Sequence, residues 1–305
     1  GCDVTLPSPV VSRRHAELHA TPGGLAIVDA GSANGTFVGG ARVRRAALRP
    51  GDVLRIGPYD LAVEGSALVV RDLRGALRVD GRGLGRKVGG GRWILRDASL
   101  SILPREFVAL VGGSGAGKST LMRLLLTQAT PTTGSVAYNG EDARDAFERY
   151  RSLVGYVPQE DILHRELGVQ SALGYAARLR LPPDTTRQER KARIAQALAD
   201  VEMTEHAAKR IGQLSGGQRK RVSIAAELLA DPHLFFLDEP TSGLDPGLDK
   251  KMMVTLRRLA DAGRTVVLVT HATANLDLCD AIVFVAEVEV CRDRKSTRLN
   301  SSHRT

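Results

Sequence analysis

Residues 107–126 read FVALVGGSGAGKSTLMRLLL. An apolar run precedes a glycine-rich segment and leucines at helical spacing, so the pattern predicts a strand, a loop and a helix. The loop matches G-x4-G-K-S, whose glycines let backbone N–H groups surround phosphate oxygens. An ordinary glycine-rich turn is the alternative, which the strand–loop–helix context disfavours. We expect Lys118 to reach the β- and γ-phosphates and Ser119 to bind Mg²⁺. The predicted nucleotide-binding residues are Gly112, Gly113, Ser114, Gly115, Ala116, Gly117, Lys118, Ser119 and Thr120.

A second chemical signal is LFFLDEP at Leu234–Pro240. An apolar run that ends in two carboxylates predicts a strand whose carboxyl end carries both acids, at the sheet edge where ligands bind in open α/β folds. Such a pair is by itself more often a helix cap or a turn. Next to a phosphate loop, we expect Asp238 to hold Mg²⁺ and Glu239 to polarise an attacking water.

Further motifs complete a recognisable series. LSGGQRKR begins at Leu214, Gln159 lies in GYVPQED, Asp245 lies in SGLDP and His271 lies in VTHAT. Together with the phosphate loop and the Asp-Glu pair, residues 73–292 resemble the nucleotide-binding domain of ABC (ATP-binding cassette) proteins, whose motifs occur in this order.

That resemblance implies an α/β P-loop NTPase with a helical subdomain. It implies ATP and Mg²⁺ as cofactors, and two cassettes that meet head to tail as a homodimer, with each ATP between one phosphate loop and the signature of the other. The implied catalytic residues are Glu239, His271 and Gln159, and the implied Mg²⁺ ligands are Ser119, Gln159 and Asp238. The implied signature is Leu214, Ser215, Gly216, Gly217 and Gln218, with Asp245 in the adjoining D-loop.

The runs at 155–184 and 214–229 resemble the G-type subgroup of sterol and pigment half-transporters and their bacterial relatives. In that subgroup a transmembrane block follows the cassette on the same chain. The resemblance therefore implies an exporter at the cytoplasmic face of the membrane, while the present stretch is expected to be soluble. One departure concerns adenine, because the aromatic residue that stacks on it is absent from Lys87–Gly91; Trp93 is nearby and is predicted to be core.

The N-terminal block, residues 1–72, has short apolar runs separated by turn residues, a spacing that predicts a β-sandwich. SRRH from Ser12, GSANGT from Gly31 and GDVLRIG from Gly51 resemble an FHA (forkhead-associated) domain. That resemblance implies a phosphothreonine-peptide site formed by Ser12, Arg13, Ser32 and Asn34, with His15 bracing the loop. The family's principal phosphate arginine, in a Gly-Arg pair, would lie just before Gly1, so we expect reduced affinity for phosphopeptides.

We therefore predict a multidomain chain with an FHA sandwich (1–72), an ABC cassette (73–292) whose last part is incomplete, and a tail (293–305). The tail begins DRKSTRLNSSH and resembles a translated sequencing adapter. The basic residues of 73–96 are interpreted as a solvated surface rather than a contact with anionic lipid.

The composition is that of a chain with a packed core: 43% of the 305 residues are hydrophobic and 25% are charged. The formal net charge of +9 is unevenly placed, with +1 from residues 1–72, +5 from 73–292 and +3 from 293–305. A nucleic-acid binder should concentrate charge on one folded face, so the net charge is weak evidence and no nucleic-acid partner is expected. Three cysteines without metal-ligand spacing indicate a reducing compartment. Two alternatives stay open: a soluble ABC ATPase that acts on nucleic acid or ribosomes, and a scaffold with an inactive cassette.

Overall fold

The computed structural model describes residues 4–22, 24–64, 67–73, 76–160, 162–286 and 290–294. The N-terminal unit is a β-sandwich of antiparallel strands, as predicted. One sheet has the order β1-β2-β5 and the other β4-β3-β6-β7-β8. The strands are β1 Ala16–Thr21, β2 Gly24–Asp29, β3 Thr36–Val38, β4 Ala41–Val43, β5 Arg45–Leu48, β6 Val53–Ile56, β7 Tyr59–Glu64 and β8 Ala67–Asp72.

The apolar runs of the N-terminal block supply the interior of this sandwich. Ile27 of β2, Leu54 and Ile56 of β6, and Leu61 and Val63 of β7 are buried together between the sheets. Strand β7 shows strict alternation of buried and more exposed residues, as expected of a strand with one face on a core. The loops before β1 and β3, which carry the predicted phosphopeptide residues, lie outside this core.

The second unit is built around a largely parallel sheet in the order β14-β15-β16-β11-β17-β18. Its strands are β11 Phe107–Val111, β14 Val154–Val157, β15 Leu234–Asp238, β16 Thr265–Thr270, β17 Ala281–Val285 and β18 Val290–Arg294. Every residue of β11, β15 and β16 is buried, because helices cover both faces of a parallel sheet. The carboxyl ends of these three strands lie side by side and carry the phosphate loop, the Asp-Glu pair and His271.

A smaller antiparallel sheet, in the order β10-β9-β12-β13, packs beside it. It consists of β9 Val79–Val88, β10 Arg92–Ile102, β12 Thr133–Tyr138 and β13 Glu141–Asp142. Five of the basic residues of 73–96 lie on its strands β9 and β10: Arg82, Arg86, Lys87, Arg92 and Arg96. Arg78 comes just before β9 and is exposed like Arg82, whereas Val79 and Leu84 are buried. Arg74 lies outside the described residues. Exposure of Arg78 and Arg82 fits a solvated surface and an anionic-lipid contact equally, so the interpretation as a solvated surface stays a prediction.

Six helices are described: α1 Lys118–Leu125, α2 Ala143–Tyr150, α3 Val169–Arg180, α4 Arg187–Asp200, α5 Gly216–Leu228 and α6 Pro246–Asp261. Helices α3, α4 and α5 contact one another and form a helical lobe, as predicted. Helix α4 begins at a capping box in which Thr186 and Glu189 bond reciprocally. Within the described residues, no helix combines the length and the hydropathy needed to cross a bilayer.

The predicted tail coincides only in part with the described residues. Asp293 and Arg294 belong to β18, which pairs antiparallel with β17. Residues 295–305 lie outside the described residues. The adapter origin of the tail stays a prediction.

Candidate functional site

The phosphate loop joins the buried end of β11 to α1. Gly117 precedes the helix with φ 93°, in the left-handed region that favours glycine. A Cβ atom at Gly112 would lie 2.1 Å from the carbonyl oxygen of Val285, so only glycine fits against β17. Between these two glycines, residues 113–115 are exposed. The result is an open loop at a helix N-terminus, an arrangement that binds phosphate groups.

Lys118 lies against the backbone of its own loop. Its Nζ atom donates to the carbonyl oxygens of Gly112 at 2.9 Å and Gly113 at 2.8 Å. Burial lowers the pKa of Lys118, and the nearby carboxylates of Glu239 and Asp238 oppose that shift. The ammonium group is therefore held at the loop by groups that a phosphate could replace.

The predicted metal ligands Ser119 and Asp238 meet directly, because α1 begins beside the end of β15. Ser119 Oγ donates to Asp238 Oδ1 at 3.0 Å. Burial raises the pKa of Asp238, the hydrogen bond from Ser119 lowers it, and the neighbouring Glu239 raises it further. A buried carboxylate beside a hydroxyl oxygen at a phosphate loop suits Mg²⁺, which prefers one or two protein oxygens plus substrate phosphates.

Glu239 lies between the other two predicted catalytic residues. Gln159 Nε2 donates to Glu239 Oε2 at 3.0 Å, and His271 Nε2 lies 2.5 Å from Glu239 Oε1. Glu239 has φ 48°, an uncommon conformation for a non-glycine residue that is found at functional sites. The three side chains come from the ends of β14, β15 and β16. The amide of Gln159 lies against Glu239, and its role as a Mg²⁺ ligand stays a prediction.

The predicted signature opens α5 in the helical lobe. Ser215 caps this helix and forms a capping box with Gln218, whose amide lies 2.9 Å from His206 Nε2. Ser215 and Gly216 are exposed, so the helix N-terminus faces outward. Asp245 caps α6 by accepting hydrogen bonds from two backbone N–H groups. An outward-facing N-terminus of this kind can receive the phosphate of a second subunit's nucleotide.

The predicted phosphopeptide residues lie on two neighbouring loops of the sandwich. Ser12 Oγ accepts from Ala33 N at 3.2 Å, and Asn34 Nδ2 donates to the carbonyl oxygen of Val10 at 2.7 Å. His15 connects both loops: its Nδ1 accepts from Ser12 N at 3.2 Å, and its Nε2 lies 3.1 Å from the Gly35 carbonyl oxygen. These bonds agree with a bracing role for His15.

Asp29 organises this site and was missed by the sequence reasoning. Its carboxylate accepts from the backbone N–H groups of Gly31 and Ser32, from Ser32 Oγ at 2.5 Å and from Thr36 Oγ1 at 2.7 Å. Burial alone would raise the pKa of Asp29, but these hydrogen bonds hold it below its ordinary value. An Asp two residues before a Gly-Ser turn was the available signal. Ser32 is thus engaged with Asp29 and shapes the loop.

Trp93 differs from the prediction that it belongs to the core. It is only partly buried, and two cations flank its ring: Lys87 Nζ lies 4.6 Å and Arg96 Cζ 5.3 Å from the ring centroid. The β9–β10 turn brings these residues together across the antiparallel pair. The prediction is wrong because an indole ring can be covered by charged side chains instead of by apolar neighbours.

The parallel sheet, the phosphate loop, the Ser119–Asp238 pair and the aligned Glu239 define the cassette class of P-loop ATPases. A family model described as "ABC transporter" matches residues 95–242, and an FHA domain model matches residues 1–57. The chain is an FHA domain fused to an ABC ATPase cassette of the ABC transporter family.

Curated relatives match this chain over nearly all of its length or over part of it. An ABC transporter ATP-binding/permease protein of Mycobacterium tuberculosis is 47% identical over 93% of this chain and 33% of its own length. ABC transporter G family member 21 of Arabidopsis thaliana is 40% identical over 59% of this chain and 27% of its own length. The chain thus spans a third or less of these relatives.

Solved cassettes share the fold of the second unit. The structure of cbiO1 from Clostridium perfringens has a TM-score of 0.65 and 26% identity over 71% of this chain and 88% of its own. A dimeric ATP-binding cassette bound to ADP and phosphate has a TM-score of 0.63 and 27% identity over 72% of this chain and 100% of its own. That solved cassette is therefore a dimer with nucleotide bound.

Proposed function

We propose that this chain is the ATP-hydrolysing part of an exporter-type ABC transporter and that its FHA domain binds phosphothreonine peptides. The observation that carries the first part is the Glu239 carboxylate between Gln159 and His271, beside Lys118 and the Ser119–Asp238 pair. Mg·ATP binds the phosphate loop, with Lys118 and the N-terminus of α1 on its phosphates. Ser119 and Asp238 would hold Mg²⁺, which would supply charge neutralisation on those phosphates.

Hydrolysis requires a second copy of the cassette. Ser215, Gly216 and Gly217 of one subunit face the γ-phosphate held by the other, so each site is completed in trans. Glu239 orients the attacking water and accepts its proton, and His271 contacts the γ-phosphate. Two sandwiched nucleotides hold the dimer closed, and loss of the γ-phosphate opens it.

Glu239→Gln tests this assignment. The substitution keeps the shape of the side chain and removes the base, so we expect ATP affinity to persist and hydrolysis to fall by about a hundredfold or more. Size-exclusion chromatography with ATP and Mg²⁺ should show a trapped dimer. Glu148→Gln makes the same change at an exposed acid of α2 outside the site and serves as a control. Full hydrolysis by Glu239→Gln would refute the assignment of Glu239 as the base, whereas absence of ATP hydrolysis in the wild-type dimer would favour the alternative of a scaffold with an inactive cassette.

A groove beside the Gln159 loop supports coupling to a membrane domain. It has a volume of about 430 Å³ and is lined by Tyr156 and Pro158, among others. Ile162, Tyr175 and Leu179 are 65%, 55% and 84% exposed at its rim. Exposed apolar surface of this kind marks a protein contact. We propose that a cytoplasmic helix of a transmembrane domain on the same intact chain docks here, which would hold the cassette at the cytoplasmic face of the membrane.

The source gene tests the membrane proposal directly. Reading its DNA past the codon of Arg292 should reveal several apolar segments of about 20 residues. A stop codon or a second cassette at that place would refute transport and favour a soluble ABC ATPase.

The FHA proposal rests on Ser12 and Arg13, whose hydroxyl and guanidinium are suited to phosphate, with Asn34 on the adjoining loop. A phosphothreonine peptide should bind more tightly than its unphosphorylated form, and Ser12→Ala should reduce that difference. Both this chain and a chain extended by the family's Gly-Arg pair should be measured. Equal affinity for the two peptides in the extended chain would refute phosphothreonine recognition.

A further inference from the structure

The FHA sandwich contacts the cassette at two separate places. The first contact is with helix α2 of the cassette, where Arg149 Nη1 donates to the carbonyl oxygen of Gly40 at 2.6 Å. Beside it, the guanidinium of Arg55 lies 4.6 Å from the centroid of the Tyr150 ring. Arg55 is only 8% exposed, so this contact is shielded from water. It attaches the sandwich to α2.

The second contact is made by the predicted phosphopeptide loop itself, on the helical lobe. The backbone N–H of Arg13 donates to Asp184 Oδ2 at 2.7 Å. The Arg13 guanidinium donates to Glu189 Oε2 at 2.6 Å. Asp184 lies three residues before α4 and Glu189 lies in its first turn. A cleft of about 1280 Å³ between this segment and the sandwich is lined by Ser12 and Thr185 as well.

The two carboxylates accept hydrogen bonds from the same kinds of donor that bind phosphate groups. The charged oxygens of a phosphate accept hydrogen bonds from backbone N–H groups and from guanidinium groups. Here Asp184 accepts from the backbone of the loop and Glu189 from its guanidinium. Glu189 is also preset, because Thr186 N and Thr186 Oγ1 donate to the same Oε2 atom at 2.7 and 2.9 Å. Those bonds lower the pKa of Glu189, so it carries its charge at neutral pH.

We propose that Asp184 and Glu189 form an intramolecular ligand of the FHA phosphopeptide loop, which a phosphothreonine peptide must displace. The proposal rests on the proposed phosphopeptide function. Since the other side of the sandwich is attached to α2, the contact makes the FHA domain a bridge between the core and the helical lobe. Peptide binding then releases the lobe that carries the signature, and so links the phosphorylation of a partner to the cassette.

A phosphothreonine peptide can displace the two carboxylates from the loop at a small cost in free energy. The side chains of Arg13 and Glu189 are 53% and 52% exposed, and ion pairs between exposed side chains contribute little to stability. A phosphothreonine brings a charge between −1.5 and −2 and three acceptor oxygens, against a single charge on each carboxylate. The intramolecular ligand should therefore reduce peptide affinity by a small factor and still be replaced by a phosphate.

The first test measures peptide affinity by fluorescence anisotropy on the full chain. Asp184→Asn with Glu189→Gln should tighten binding of a phosphothreonine peptide by roughly threefold. Gln at position 189 retains the capping box. Glu166→Gln with Glu205→Gln makes the same change in net charge at two exposed acids outside the contact, and should leave the affinity unchanged. Equal tightening in both pairs, or none in the first, would refute the competition.

The second test needs no peptide. Hydrogen exchange at the Arg13 amide should be faster in Asp184→Asn/Glu189→Gln than in the wild-type chain, and unchanged in the control pair. Unchanged exchange in the first pair would refute the intramolecular contact. If exchange responds while phosphorylated and unphosphorylated peptides bind alike, the contact stands and the phosphothreonine function fails, so the two failures are distinguishable.

Discussion

Lys220 links the signature helix to the loop that carries Gln159. Its side chain is 8% exposed. Its Nζ atom donates to the carbonyl oxygens of Gln159 at 2.7 Å and Pro158 at 3.1 Å. Since Gln159 in turn donates to Glu239, the ammonium group fixes the backbone that aims Gln159 at the catalytic carboxylate. We therefore expect Lys220 to act as a positioning residue for hydrolysis.

Lys220→Met keeps the apolar stem and removes both hydrogen bonds. Hydrogen bonds to charged groups contribute roughly 1.5–3 kcal/mol each, and relief of the buried ammonium's desolvation offsets part of their loss. A net loss of about 2 kcal/mol limits the fall in kcat to roughly 30-fold. We expect kcat to fall by at least about fivefold, with KM for ATP little changed because the phosphate loop is untouched.

Steady-state ATPase assays on the folded variants measure this effect. Lys220→Arg should recover part of the rate, because a guanidinium retains the charge and the donors. Lys209→Met removes an exposed lysine from the same lobe and should behave as the wild type. A wild-type kcat in Lys220→Met, or a change confined to KM, would refute the positioning role.

Three further predictions concern stability. Burial raises the pKa of Glu227 despite its ion pair with Arg180. The side chain therefore destabilises the folded state increasingly as the pH rises through that raised pKa. Glu227→Gln should increase Tm by roughly 2 °C at pH 7.5 and by less at pH 5. Gly112→Ala should abolish ATP binding and lower the stability by about 1–3 kcal/mol, because the new Cβ would collide with the backbone of Val285; unchanged ATP affinity would contradict this. The pKa of Asp29 is lowered in the folded state. Its carboxylate therefore stabilises the fold at any pH above its unfolded pKa, and this stabilisation is lost as the pH falls through the lower, folded-state pKa. Asp29→Asn should reduce the free energy of unfolding, measured by calorimetry, by about 2 kcal/mol at pH 7 and progressively less below about pH 4.

The cassette site was predictable from the sequence because each part is a short contiguous motif in a fixed local context. The phosphate loop requires only the strand before it and the helix after it, and LFFLDEP contains both its buried strand and its carboxylates. The structure gives strands at Phe107–Val111 and Leu234–Asp238 and a helix at Lys118–Leu125, as these two motifs predict. Sequence patterns do not give the order of the strands, which brings His271 to Glu239 from the neighbouring β16.

Contacts between surface charges are harder to predict, and the FHA domain illustrates why. Arg13 was identified as a phosphate residue, but its partner Glu189 is 176 positions away. The chain has 43 basic and 34 acidic side chains, so charge alone does not select one pair. The pair forms because Gly40 and Arg149 attach the opposite side of the sandwich to the core, which brings the phosphopeptide loop to α4. The arrangement of the two domains therefore determines the partner of Arg13, and any change that detaches the sandwich from α2 should also weaken its contact with Glu189.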